Sequence, residues 1–171
     1  MLEPLLTQST ALVWFDYPDG QALPWDGRRE INLDAFPGVT FRWSPEKVEA
    51  VTDTGILPLY TGMPIWNVFF TDLTGDGLPE LCSTLSIRSG VANTCVMVYD
   101  YANGASYALQ DPMQHDYSLS LQDGRLVVTK RRCADGQVVH TAYLAYVQNA
   151  VSLIPIDPAG ASPEPLQSQP S

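Results

Sequence analysis

The sequence predicts an all-β protein, an antiparallel meander of about eleven short strands. Two observations lead there. The apolar segments are too short for convincing helices, and several alternate with polar residues at the period of a strand. Turn chemistry separates them at short intervals, with Asn-Gly at 103–104 and Asp-Gly at 123–124 and 135–136. Periodicity leaves open whether the strands close as a barrel, pack as a sandwich or form blade-like sheets.

Taken in order, Ala11 to Tyr17 and Arg29 to Leu33 read as strands around a loop containing Pro18, Asp19, Gly20, Pro24, Asp26 and Gly27. Val39 to Trp43 follows Pro37-Gly38. Serine as a cap and proline at the first position allow one helical turn at Ser44-Pro45-Glu46. Lys47 to Thr52 and Ile56 to Tyr60 flank Asp53-Thr54-Gly55, which reads as a three-residue hairpin connection with glycine in the left-handed position. Trp66 to Thr71 and Leu81 to Ile87 are β-rich runs on either side of an acidic loop. Thr94 to Tyr101 turns at Asn103-Gly104 into Ala105 to Leu109. Tyr117 to Gln122 alternates strictly, so Tyr117, Leu119 and Leu121 face a core while Ser118 and Ser120 face water. Arg125 to Lys130, Val138 to Val147 and Ala150 to Ile156 complete the domain, with Gln148-Asn149 between the last two.

Residues 1–156 therefore read as one domain, long enough to bury a core without staples. Residues 157–171 are rich in Pro, Ser, Ala and Gln and predict a disordered tail. No apolar run is long enough to span a membrane as a helix. The start, Met1 to Thr7, lacks the basic leader and apolar core of a signal peptide, which suits a cytosolic protein or a mature part of a larger one. Nineteen acidic residues against nine basic ones give a net charge of −10, which argues against nucleic acid. The one basic cluster, Lys130-Arg131-Arg132, fits edge protection on a strand. Cys82, Cys95 and Cys133 lack metal-ribbon spacing and read as buried free thiols, with Cys82 and Cys95 placed to face each other across a hairpin.

The acidic loop Asp72-Leu-Thr-Gly-Asp-Gly-Leu-Pro-Glu80 carries the most chemistry. Calcium takes six to eight oxygens at about 2.4 Å from carboxylates, hydroxyls, carbonyls and water. Asp72, Thr74, Asp76 and Glu80 offer side-chain oxygens, Leu78 offers its carbonyl, and Gly77 sits at the tight turn, where positive φ is needed. An EF-hand carries a bidentate glutamate at the twelfth position, but Ser83 stands there, so that motif is excluded. A loop between two strands is similar instead to the FG-GAP calcium loop, D-x-[DN]-x-D-G-x-x-D. It departs from that pattern at Thr74 and Glu80 and occurs once, where FG-GAP domains repeat it. The same residues also suit a metal-free turn, because Asp side chains bond nearby amides.

Phe36-Pro-Gly-Val-Thr-Phe-Arg-Trp43, Met63-Pro-Ile-Trp66, the acidic loop and Val98-Tyr-Asp-Tyr-Ala-Asn-Gly104 together resemble a domain appended to the C-terminal side of BlaR/MecR-type membrane metallopeptidases of gut Firmicutes. The resemblance runs from roughly residue 15 to 156. It implies an extracytoplasmic domain, secreted or membrane-tethered, acting as a sensor or interaction module. The zinc-binding H-E-x-x-H helix of those peptidases has no counterpart here, so their catalysis does not carry over.

Catalytic constellations are sparse. Ser44-Pro-Glu-Lys47 matches S-x-x-K, but the S-D-N and K-T-G partners of acylating enzymes are missing. His115 and Asp116 are neighbours that a strand would point to opposite faces, and His140 shares a face with Val138, Ala142 and Leu144. The expectation is a non-catalytic binding or sensory module whose partner is a protein, a peptide or a cell-wall glycan, with Trp14, Trp25, Trp43 and Trp66 as candidate platforms. A calcium-stabilised structural spacer is the alternative, and an enzyme of unrecognised class a minor one. Exposed aromatics in one groove would favour binding, and buried ones the spacer.

Overall fold

The computed structural model describes residues 11–17, 22–88, 91–111, 113–156 and 164–168. The start of the chain, the loop at Pro18 to Gly20, the Ser89-Gly90 turn and most of the tail lie outside these. Among the described residues there is no helix, and the fold is all-β, antiparallel and sandwich-like.

Among the described residues there are fifteen strands rather than about eleven: β1 (Leu12–Asp16), β2 (Arg29–Asn32), β3 (Thr40–Ser44), β4 (Lys47–Thr52), β5 (Gly55–Thr61), β6 (Asn67–Thr71), β7 (Glu80–Arg88), β8 (Val91–Asp100), β9 (Ala105–Leu109), β10 (His115–Gln122), β11 (Arg125–Arg132), β12 (Val138–Val147), β13 (Ala150–Pro155), β14 (Glu164–Pro165) and β15 (Gln167–Ser168). They form a six-stranded sheet ordered β1-β6-β7-β8-β9-β15, a five-stranded sheet β10-β11-β12-β13-β14 and a four-stranded sheet β2-β3-β4-β5.

The six-stranded sheet is the middle layer. One face packs on the five-stranded sheet through Phe69, Cys82, Val96 and Val98 against Leu119, Val128, Leu144 and Leu153. The other packs on the four-stranded sheet through Phe15, Val68, Phe70, Leu81 and Cys95 against Phe41, Trp43, Val48 and Ala50. Such a strand has no solvent face, which accounts for the unbroken Val-Phe-Phe of β6, every residue of which is buried.

Local turns follow the chemistry expected of them in most places. Asp123-Gly124 and Gln148-Asn149 each take two positive φ angles, the requirement of a type I′ hairpin. Three expectations are corrected. Ser44 pairs with Lys47, so Pro45 and Glu46 form a hairpin turn and not a helical one. Thr52 pairs with Gly55, which places that glycine in the strand at φ 140° and shortens the connection to two residues. Asp100 pairs with Ala105, so Asn103-Gly104 ends a four-residue loop.

Two more corrections concern the cysteines and the tail. Cys82 lies opposite Val98 and Cys95 opposite Leu85, so the two thiols point into different cores and do not face each other. The tail is not disordered throughout: β14 pairs with β13, β15 with β9, and Leu166 between them is 5% exposed. A single leucine side chain entering the core, with the Leu166 amide bonded to the Val151 carbonyl at 2.7 Å, fixes a polar segment that composition alone reads as unfolded.

Candidate functional site

The acidic loop joins β6 to β7. Thr71 pairs with Glu80, so residues 72–79 are looped out from a closed ladder end. Within it Asp72 organises the backbone: Oδ1 accepts the Gly75 amide and Oδ2 the Gly77 amide, both at 2.8 Å. Gly75 and Gly77 take φ of 81° and 84°, the left-handed region glycine enters without strain. Gly77 is legible from its place in the loop pattern, whereas Gly75 is not. Asp76 Oδ1 accepts the Leu78 amide at 2.9 Å. The Thr74 hydroxyl is turned toward Asp72 Oδ1 at 3.5 Å.

Three carboxylates named from the sequence converge: one oxygen from each of Asp72, Asp76 and Glu80 lies within 4.8 Å of the others. Glu80 differs from its partners because it is on the strand and only 1% exposed. Its Oε2 accepts the Leu73 amide at 2.6 Å, while Oε1 is buried with no hydrogen-bond partner. Burial pushes the Glu80 carboxyl up, the Leu73 amide pulls it back, and the charges of Asp100, Asp72 and Asp76 push it further, to about 8. A metal-free turn explains the bonds of Asp72 and Asp76. It does not explain a buried carboxylate oxygen left bare beside two more carboxylates, an arrangement that costs free energy until a cation or proton compensates it. The donor set of hard oxygens suits calcium rather than a thiophilic metal.

Asp100 is a residue that sequence reasoning missed. It is 6% exposed at the end of β8, and its carboxylate accepts the Asn103 amide at 3.1 Å and Asn103 Nδ2 at 2.8 Å. Its relation to Glu80 depends on strand register, which the sequence does not display.

The other candidates are held in structural contacts. His115 Nδ1 bonds Asp111 Oδ2 at 2.7 Å. Asp116 Oδ1 instead accepts Asn93 Nδ2 and the Thr94 amide, each at 2.9 Å. Burial, then the charge and hydrogen bond of Asp116, raise the Cys133 thiol, which disfavours the nucleophilic thiolate. His140 lies in a shallow depression with Val138, Val139, Thr141 and Ile156. Ser44 and Lys47 line the outer face of the four-stranded sheet, where Lys47 Nζ lies 3.4 Å from Glu49 Oε2 and Arg42 bonds Glu49 Oε1. Arg28 and Glu30 complete an open groove there of about 620 Å³.

Of the four tryptophans, Trp43 is buried, Trp14 and Trp66 pack against the same core, and Trp25 is 61% exposed. Comparison with protein-family models, with curated proteins and with solved structures found no match.

Proposed function

We propose that this chain is a non-catalytic, calcium-stiffened β module of an extracytoplasmic protein, with the ion held by Asp72, Asp76 and Glu80 and completed by Thr74, the Leu78 carbonyl and water. The observation that carries the reading is the bare, buried Oε1 of Glu80, on a carboxylate that clusters with those of Asp72 and Asp76. Three carboxylates with few further protein ligands fit the weak end of calcium sites, with dissociation constants of roughly 10⁻⁴–10⁻³ M as in extracellular modules. Such a site fills where calcium is millimolar, which is the argument for placement outside the cytoplasm. Burial of most tryptophan surface supports a structural role over a broad aromatic platform.

A second reading, ligand binding, draws on the groove of Arg28, Glu30, Arg42, Ser44, Lys47 and Glu49 together with exposed Trp25. Protein, peptide and cell-wall glycan remain the partner classes for that surface.

The test is thermal unfolding in excess EDTA, then in millimolar calcium and, separately, magnesium. Binding to the native state raises stability by about 2.7 kcal/mol at a hundredfold excess over the dissociation constant. A calcium-selective rise is expected. An unchanged melting temperature in saturating calcium rejects the metal reading.

A further inference from the structure

The antiparallel pairing of Leu81 with Tyr99, continued by one residue, brings Glu80 opposite Asp100 on the neighbouring strand, and Thr71 pairs with Glu80 on the other side. Directly opposed residues share a face of the sheet, with Cβ atoms about 4.5–5.5 Å apart. Both side chains are buried, and the Asp100 carboxylate is fixed by its two bonds from Asn103. We infer that Asp100 is a fourth carboxylate of the cation site, a positioning residue that acts on the bound ion through its charge from β8 and not as a ligand. This rests on the calcium reading above.

Asp72 and Asp76, in the loop that leads into β7, bring two more carboxylates to Glu80. Four carboxylates at one rim of the central sheet attract a multivalent ion, and the Asp100 share scales with ionic charge because Coulomb energy is linear in it. It also ties the β8–β9 loop, through Asn103, to occupancy of the β6–β7 loop.

The experiment is calorimetric titration of the whole chain with calcium chloride and with the trivalent lanthanide terbium, on wild type, Asp100→Asn, Asp100→Glu and Asp76→Ala. Metal-free melting of each variant is recorded alongside. Asp100→Asn is expected to weaken calcium about tenfold and terbium about thirtyfold, since the logarithm of the loss scales with ionic charge at about three to two. Its metal-free melting temperature stays level or rises as repulsion falls. Asp100→Glu keeps the charge and both affinities.

Equal losses for the two ions, an unchanged calcium affinity, or a lowered metal-free melting temperature in Asp100→Asn overturns the inference. So does an Asp100→Glu variant that loses as much as Asp100→Asn. Wild type that binds neither ion defeats the calcium reading itself. Wild type that binds while only Asp76→Ala loses affinity defeats the role of Asp100 alone.

Discussion

Replacing Glu80 with glutamine separates the two forces acting at the loop. In the metal-free protein the Glu80 carboxyl is raised from its ordinary 4.5 to about 8, so the folded state holds the proton more tightly than the unfolded chain. The sign follows: stability is full below pH 4.5 and is lost as pH rises toward 8. Each pH unit in that window removes about 1.4 kcal/mol, so by pH 7 the cost is about 3 kcal/mol. Glutamine keeps an acceptor for the Leu73 amide and carries no charge. In EDTA at pH 7, Glu80→Gln should therefore be more stable than wild type by about 3 kcal/mol, or about 6–12 °C in a chain of this size.

Under the proposed function, calcium should reverse the order. It requires the ionised carboxylate, so wild type should gain stability on adding calcium and its pH slope should flatten, whereas Glu80→Gln should gain little. Glu49 does not confuse the assay. Burial pushes its carboxyl up, but the Arg42 hydrogen bond and the charges of Lys47 and Arg42 outweigh that and leave it lowered, so its contribution is lost only as pH falls below 4.5. Urea unfolding at pH 5, 6, 7 and 8, with EDTA and with calcium, measures all of this. A flat metal-free profile across the window, or a Glu80→Gln variant still stabilised by calcium, refutes the reasoning.

Asp76 is exposed and has little part in the fold, so Asp76→Ala should leave metal-free stability within about 1 kcal/mol and abolish the calcium-dependent rise in melting temperature. Leu166→Ala should cost about 2–5 kcal/mol in chemical unfolding, because the side chain fills the core between β13 and β9; an effect near zero would return residues 164–168 to a loose tail. Thiol labelling of the native protein should modify Cys133 first and spare Cys82 and Cys95, which are buried in separate cores, and oxidation should yield no Cys82–Cys95 bridge. Tyr143→Leu should lower stability by about 1 kcal/mol, through loss of the Arg125 guanidinium seated 3.7 Å from the ring centre.

Local chemistry is what the sequence displays, and the elements governed by it were legible. Strand identity through β13 followed from short alternating or β-branched runs, and Asp123-Gly124 and Gln148-Asn149 read correctly as turns because their backbone demands are written in two residues. The loop at Asn103-Gly104 is longer than its two turn residues indicate, because Asp100 and Asn103 bond each other and extend the turn by two residues. Convergence of Asp72, Asp76 and Glu80 was readable from spacing, since one short loop sets all three. The burial of Glu80, the presence of Asp100 and the three-layer arrangement were not. Each depends on which strand lies beside which, and that is settled by packing between residues far apart in the chain.

The position of the loop gives the proposed stiffening role a mechanical basis. Leu73, one residue after Asp72, is buried in the core beneath the five-stranded sheet, whereas Leu78, between Asp76 and Glu80, packs against the core beneath the four-stranded sheet. The same eight-residue connection (72–79) therefore reaches both hydrophobic layers around the central sheet, and Glu80 anchors it to that sheet through the Leu73 amide. An ion binding Asp72, Asp76 and Glu80 would draw together points attached to all three layers, so its free energy would be felt in separating the layers and not only in fraying of the loop. Under the proposed function, hydrogen exchange should slow with calcium in β3, β7 and β11 alike, one strand from each sheet. Protection confined to residues 72–80 would make the ion a local clamp and remove the spacer interpretation.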